Sequence, residues 1–380
     1  MNPFKKTIER LAHNKKLYAG YPPNTAFDYS ELYPLLQYPI NNIGDPFLLR
    51  NSFSTHEYEC ELIKWFLKLY SKTGEGWGYV TTGGSEGVLF GMWNGRETLK
   101  NPIIYYSEYA HYCVQKFTRL LGLEKRVIKS QANGEMDYQD FEKQLETGRN
   151  AIVVATLGST MTSSVDHVVK IIEALKSKNI QYYIHADAAI DGMILPFIKT
   201  DLPFKLDDGI DSVSISGHKV IGAPMPCGVV LTKENHIVHA EEINLIKDMD
   251  ATITGSRNGF SVALLWYAIK KRGFLEFETS IQEYIKKAQT YCDIFNKNQI
   301  KAWRFEHAIT IVLDRLPEEI LKGWCVPSNE TFTSLTALPK LTDEMVYEII
   351  RQIQYYKLHG CLPPDLSTLK YPEITEDIVL

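Results

Sequence analysis

The sequence predicts an α/β protein: a mostly parallel sheet flanked by helices, followed by a smaller C-terminal α+β domain. Two features carry this expectation. Between about residues 57 and 231, short and continuously apolar strands alternate with amphipathic helices, the pattern of strands buried on both faces. Beyond Gly255 the alternation stops and long helical repeats take over.

Residues 1–50 read as a helix and then an irregular arm rich in Tyr, Pro and Asn, ending Asn41-Asn42-Ile43-Gly44-Asp45-Pro46. Leu62, Ile63, Phe66, Leu67 and Tyr70 follow helical spacing. Tyr79-Val80-Thr81 is a strand that enters a Gly-rich turn and a helix through Leu89 and Trp93. A strand at Ile103–Tyr106, a helix at Tyr112–Leu121, a strand at Ala151–Thr156 and a helix at Val165–Lys176 follow. Tyr182–His185, Ser212–Ile215 and Gly228–Leu231 complete the strands of the alternating region. Helices at Val262–Lys271 and Ile281–Phe295 precede a strand at Ile309–Leu313. The expected organisation is an N-terminal arm (1–50), a large α/β domain (51–255) and a small α+β domain (256–380).

Composition narrows the function classes. The 380 residues are 44% hydrophobic and 23% charged with a net charge of -5, too balanced for disorder. No Lys/Arg block marks a nucleic-acid partner. Apolar runs such as Ala151–Leu157 fall far short of the roughly 18 residues that span a bilayer. The charged start Met1-Asn2-Pro3-Phe4-Lys5-Lys6 has no apolar stretch behind it, so no secretory leader is expected. Cys60, Cys113, Cys227, Cys292, Cys325 and Cys361 lack metal-cluster or disulfide spacing, which fits free thiols in the cytoplasm and no metal site.

Three elements carry chemistry, each with a plainer alternative. Thr81-Thr82-Gly83-Gly84-Ser85-Glu86-Gly87 lies between a strand and a helix, where backbone N–H groups suit a phosphate. It lacks the Lys of a P-loop, and a tight turn with Ser85 as cap also explains it. His185-Ala186-Asp187-Ala188-Ala189 ends a strand, where open α/β sheets bind ligands. Small neighbours let a flat ring lie close, and Asp187 can hold a protonated ring nitrogen or simply cap the next helix. Ser216-Gly217-His218-Lys219 follows another strand and runs into Val220-Ile221-Gly222-Ala223-Pro224-Met225-Pro226-Cys227-Gly228. A lone Lys is ordinarily a surface residue, but among Gly, Pro and apolar neighbours it loses its proton and becomes an amine nucleophile. A phosphate cradle, an acid for a pyridine nitrogen and an amine for an aldehyde together point to pyridoxal 5′-phosphate.

These segments, with Asp250-Ala251-Thr252-Ile253-Thr254-Gly255-Ser256-Arg257-Asn258-Gly259, resemble the group II pyridoxal-phosphate-dependent amino-acid decarboxylases, nearest to the bacterial histidine decarboxylase and plant serine decarboxylase branch. The likeness runs over roughly residues 20–350. It implies a fold-type-I, transferase-like architecture, with Lys219 forming the Schiff base and Asp187 paired with the pyridine nitrogen. Ala189 packs on one ring face and His111 stacks on the ring. Gly84, Ser85 and His218 hold the phosphate with help from Ser216, and Ser159 or Thr160 lies near the cofactor's phenolic oxygen or the substrate. It also implies a homodimer with shared active sites, in which Ser256 reaches the neighbouring subunit's phosphate. The implied reaction takes an amino acid, histidine first, to its amine and CO₂ through a carbanion. Tyr33, Asn41, Asn42, Asp191 and Ser328 are expected to build the substrate pocket.

Three positions depart from the branch. Leu245 stands where a Tyr proton donor is usual, Phe260 where a His is common, and Asp191 where a small residue is expected. Leu donates no proton. Decarboxylation of serine or another amino acid, decarboxylation coupled to oxidation to an aldehyde, and a different fold-type-I lyase therefore stay open. A desulfurase would need a reactive loop thiol, for which Cys325 is the candidate.

Overall fold

The computed structural model describes residues 4–20, 24–47, 53–234, 237, 241–243 and 248–364. The chain divides into two compact units, 23–283 and 1–22 with 284–380. The sequence pattern changes near residue 256, but the units part elsewhere. A long helix that starts at Gly259 stays with the large unit as far as Glu283, and the first residues of the chain join the C-terminal unit.

Helix α1 (Phe4–Lys15) opens the smaller unit with no buried residue. The large unit begins with the arm, where Ser30–Gln37 form a 3-10 turn and strand β1 (Asn41–Ile43) follows. Helix α2 (His56–Tyr70) buries Leu62, Ile63, Phe66 and Tyr70 on one face, as their spacing requires. Strand β2 (Trp77–Thr81) leads into α3 (Gly84–Thr98), and β3 (Pro102–Ser107) into α4 (Cys113–Leu120). Strand β4 (Glu124–Ile128) is an addition to the sequence reading. Only its last residue is buried, so its apolar signal is weak. Helix α5 (Tyr138–Gln144), β5 (Asn150–Thr156), α6 (Val168–Ser177), β6 (Tyr182–Asp187), β7 (Ser212–Ser216) and β8 (Gly228–Thr232) complete the alternation.

Seven of these strands form one sheet in the order β2-β8-β7-β6-β5-β3-β4. Neighbours from β7 through β4 are parallel, while β8 runs antiparallel to both β7 and β2. Reversing direction twice returns β2 to the sense of β7, so the ends of β2, β5, β6 and β7 share one edge. The register agrees: Thr81 and Ser216 both face Gly228, and Asp187 pairs with Thr156 and Ser214.

A hairpin of β9 (Glu241–Ile243) and β10 (Asp248–Asp250) follows, and β11 (Ser256–Asn258) pairs with β1 of the arm. Helix α7 (Gly259–Lys297) joins the two helices expected from sequence across a break at Gly273, whose φ of 64° suits glycine. The smaller unit then adds β12 (Ala302–Trp303), β13 (Thr310–Asp314), α8 (Glu318–Leu321), β14 (Phe332–Thr336) and α9 (Asp343–His359). Its three strands form an antiparallel sheet over a core that includes Phe295, Ile311, Leu335 and Ile349.

Candidate active site

The common edge gathers the motifs that sequence placed at separate strand ends. After Thr81 the chain makes the Gly-rich turn into α3. Gly83 is the residue that precedes the helix, and Ser85 lies in its first turn rather than capping it. A helix N-terminus leaves its first amides without intrahelical acceptors, and its dipole favours an anion there. The position above Gly83 is open, with nothing within 4 Å of where a Cβ would stand. Gly84, by contrast, lies against the end of β7. A Cβ there would come within 2.4 Å of Ser216 Oγ and 3.7 Å of the Ala189 Cβ. Gly84, Ala189 and Ser216 thus meet at one point, and only glycine permits the approach.

Beyond Ser216 the backbone forms a single π turn, Gly217–Ile221, which carries His218 and Lys219. Its start is pinned by the Gly217 N–H donating to Cys227 O at 2.8 Å, and its middle by the Asn24 N–H donating to Lys219 O at 2.8 Å. His218 Nδ1 bonds the same Cys227 carbonyl at 3.1 Å, which orients the ring. Lys219 keeps some contact with solvent. Enough protein surrounds its amine, however, that burial lowers its pKa, against the opposing charges of Asp187, Cys113 and Asp191. That is the condition for a neutral, nucleophilic amine.

Asp187 ends β6, is 6% exposed, and accepts the Ala189 N–H at 3.2 Å. Burial pushes its carboxyl pKa up, and positive charge on Lys219 or His111 would pull it back. His111, in the turn between β3 and α4, is lowered by burial and by Lys219 while Asp187 opposes. The three groups therefore feel one another's charge. Sequence missed Cys113, a buried thiol that hydrogen-bonds the Ser85 side chain and that burial pushes up to about 12. His185 is a packing residue. It is fully buried and neutral, with its nitrogens 2.8 and 3.1 Å from the Ser212 and Ser214 hydroxyls, and burial lowers its pKa to about 3.

The remaining expected residues separate. Ser159 lies in a buried hydroxyl cluster, 2.8 Å from both Thr162 and Ser164, whereas Thr160 is exposed. Asp191 is fully buried beneath the Gly158 turn, where a Cβ on Gly158 would meet its carboxyl carbon at 2.5 Å. Ser256 is exposed and accepts from Asn41 Nδ2 at 3.1 Å. Asn42 turns inward instead. It donates to Glu59 at 2.7 Å and accepts the Thr55 N–H at 2.9 Å, so its amide is engaged in holding the arm. Tyr33 is 60% exposed in the 3-10 turn. Ser328 belongs to the smaller unit, where it donates to Phe332 O at 3.1 Å. Leu245 lies outside the described residues.

The edge thus presents first-turn amides beside an open space, a desolvated amine and a buried carboxylate, a donor set that fits a pyridoxal phosphate. The comparisons agree. The profile described as the pyridoxal-dependent decarboxylase conserved domain matches residues 60–316. Histidine decarboxylase of Pseudomonas fluorescens is 37% identical over 90% of this chain and 88% of its own length. The Morganella morganii histidine decarboxylase is 40% identical over 83% of this chain and 86% of its own. Among solved structures, the L-methionine decarboxylase of Streptomyces sp. 590 shares the fold with a TM-score of 0.82 at 20% identity, covering 91% of this chain and 92% of its own. The chain is a member of the group II pyridoxal-phosphate-dependent amino-acid decarboxylases.

Proposed function

We propose that the protein converts histidine to its amine and CO₂. The observation that carries the substrate is the 34–40% identity to histidine decarboxylases over most of the chain. Lys219 is the residue that would carry the cofactor, Asp187 the one facing its pyridine nitrogen, and His111 and Ala189 the two ring neighbours. Gly84, Ser85, Ser216 and His218 would hold the phosphate. Bound there, pyridoxal phosphate supplies an electron sink for the charge left at Cα when CO₂ departs.

The protein's own groups do the rest. Desolvation lowers the Lys219 pKa and so would favour the neutral amine that bonds an aldehyde. With the cofactor bound, Asp187 would hold a proton at the ring nitrogen through a charge-assisted hydrogen bond. Asp191 acts from beneath the Gly158 turn through its charge on Lys219, and we assign it no direct substrate contact. Asn42 is likewise set aside, because Glu59 and Thr55 engage its amide.

We also assign the protein to the cytoplasm as a homodimer with shared sites. None of the six cysteines is disulfide-bonded, and no described helix is long and apolar enough to cross a membrane. Tyr33, Leu36 and Tyr38 of the arm, Phe53 just after it, and Tyr112 beside His111 are 59–74% exposed, large apolar side chains that a second copy would cover.

Screening each amino acid for CO₂ release with pyridoxal phosphate present tests the substrate. Histidine is expected to lead, and a leading serine would replace it. Stoichiometric amine without peroxide is expected, and peroxide with ammonia would favour the oxidative branch. Mixing Lys219→Ala subunits with Ser256→Ala subunits is expected to restore activity if Ser256 serves its neighbour's site.

A further inference from the structure

The geometry points to Glu86 as a positioning residue for the phosphate cradle, held off the cradle by Tyr79. The inference rests on the reading of the Gly83–Ser85 turn as that cradle.

Glu86 is the third residue of α3 and is 8% exposed. A glutamate at this position ordinarily reaches back to the backbone N–H of the residue that precedes the helix, here Gly83. Here the carboxylate is drawn elsewhere. Oε2 accepts the Thr82 N–H at 2.7 Å and the Thr82 hydroxyl at 2.6 Å, and Oε1 accepts the Tyr79 hydroxyl at 2.9 Å. Both donor residues lie before Gly83, so the carboxylate anchors Thr82 while the Gly84 and Ser85 amides stay available to an anion. Burial raises the Tyr79 pKa, so the phenol stays protonated and its single hydrogen is directed to Glu86.

Tyr79 is fixed in turn. Its oxygen accepts the Ile253 N–H at 3.3 Å, and its ring packs on Trp77 and Phe90. The Arg257 guanidinium lies 5.4 Å from the ring centroid, paired with fully buried Glu59. Glu59 also accepts the Val80 N–H at 2.8 Å and the Asn42 amide at 2.7 Å. Each interior carboxylate is thus matched by several donors, as burial demands. A chain of contacts runs from the arm through Arg257, the neighbour of Ser256, to the cradle.

A rival account is that Glu86 merely repels the phosphate. Two variants separate them. Tyr79→Phe keeps the carboxylate's charge but removes a donor that restrains it, freeing it to compete for the cradle amides. Glu86→Gln removes the charge but replaces one acceptor oxygen with a donor. Titration of the apoprotein with pyridoxal phosphate and with pyridoxal, followed by absorbance, gives an affinity ratio that reports the phosphate contribution alone. Both variants are expected to lower this ratio about tenfold, the effect of one charge-assisted hydrogen bond. An unchanged ratio in both variants, even with lowered thermal stability, overturns the inference in favour of a purely structural role. A raised ratio in Glu86→Gln with no change in Tyr79→Phe overturns it in favour of repulsion. If the wild type itself shows no preference for pyridoxal phosphate over pyridoxal, it is the cradle reading that fails.

Discussion

The shared edge of the central sheet and the core of the smaller unit bury their residues to different ends. In the smaller unit the interior is Phe295, Ile311, Leu335, Ile349 and similar side chains, and the ion pairs Lys301–Asp314 and Arg351–Glu348 lie on the exposed side. Along and beside the sheet, Glu59, Asp166, His185, Asp187 and Arg257 are interior groups, each met by named donors or charges. An apolar core stabilises by area removed from water. A polar interior adds little net stability but fixes positions, because each group tolerates few arrangements. The two regions should therefore answer differently to substitution, stability moving in one and chemistry in the other.

Lys219→Ala is the strongest test on the chemical side. Turnover is expected to fall by at least about ten-thousandfold, the scale on which loss of a nucleophile acts. CO₂ release measures this, and borohydride followed by mass spectrometry should fix the cofactor on the wild type and not on the variant. Asp187→Ala comes next, with kcat expected to fall about a hundred- to a thousandfold because the ring nitrogen loses its charged partner. Full activity in either variant would end the assignment of chemistry to this edge.

Leu335→Ala tests the opposite region. Leu335 is fully buried, and its truncation is expected to cost about 3 kcal/mol in denaturant unfolding with KM unchanged. A shift in KM would show that the smaller unit takes part in the site.

Asp166 sharpens the contrast through pH. It accepts the Met136 and Thr156 N–H groups, each at 2.8 Å, and burial pushes its carboxyl up to about 7. The folded pKa lies above the unfolded one, so the contribution to stability is full below the ordinary carboxylate range and is lost as pH rises through about 7. The wild type's melting temperature should accordingly fall across that window, and Asp166→Asn should remove this component of the decline. The smallest effect is expected for Asn41→Ala, about 0.5 kcal/mol or less for a surface contact. Its inward-facing neighbour Asn42→Ala should cost about 2 kcal/mol by leaving interior partners unmatched.

Sequence disclosed the edge because its motifs interrupt continuous apolar strands with Gly, Asp, His and Lys. The alternation likewise disclosed the order of elements, while β4, largely exposed, left no apolar run to read. The Glu86 network was legible in part. Glu59 stands three and four positions before Leu62 and Ile63, on the stripe that α2 buries, and a carboxylate on such a stripe requires an interior partner. That the partner is Arg257, nearly two hundred residues away, follows from the pairing of β1 with β11, which no local pattern encodes. The same holds for Asn41 and Asn42. Alternation along a strand sends one outward and one inward, but nothing local says which.

The pairing of residues 17–20 bears on how the smaller unit is made. Leu17 O accepts the Cys325 N–H at 2.9 Å, Gly20 donates to Cys325 O at 3.0 Å, and Ala19 O accepts the Thr336 N–H at 3.0 Å. Leu17, Ala19 and Gly20 thus find these hydrogen-bonding partners only after some three hundred further residues have been translated, a wait of about 15–60 s at roughly 5–20 residues per second. A segment made early is therefore held by partners made late, and its pairing waits on the synthesis of β14.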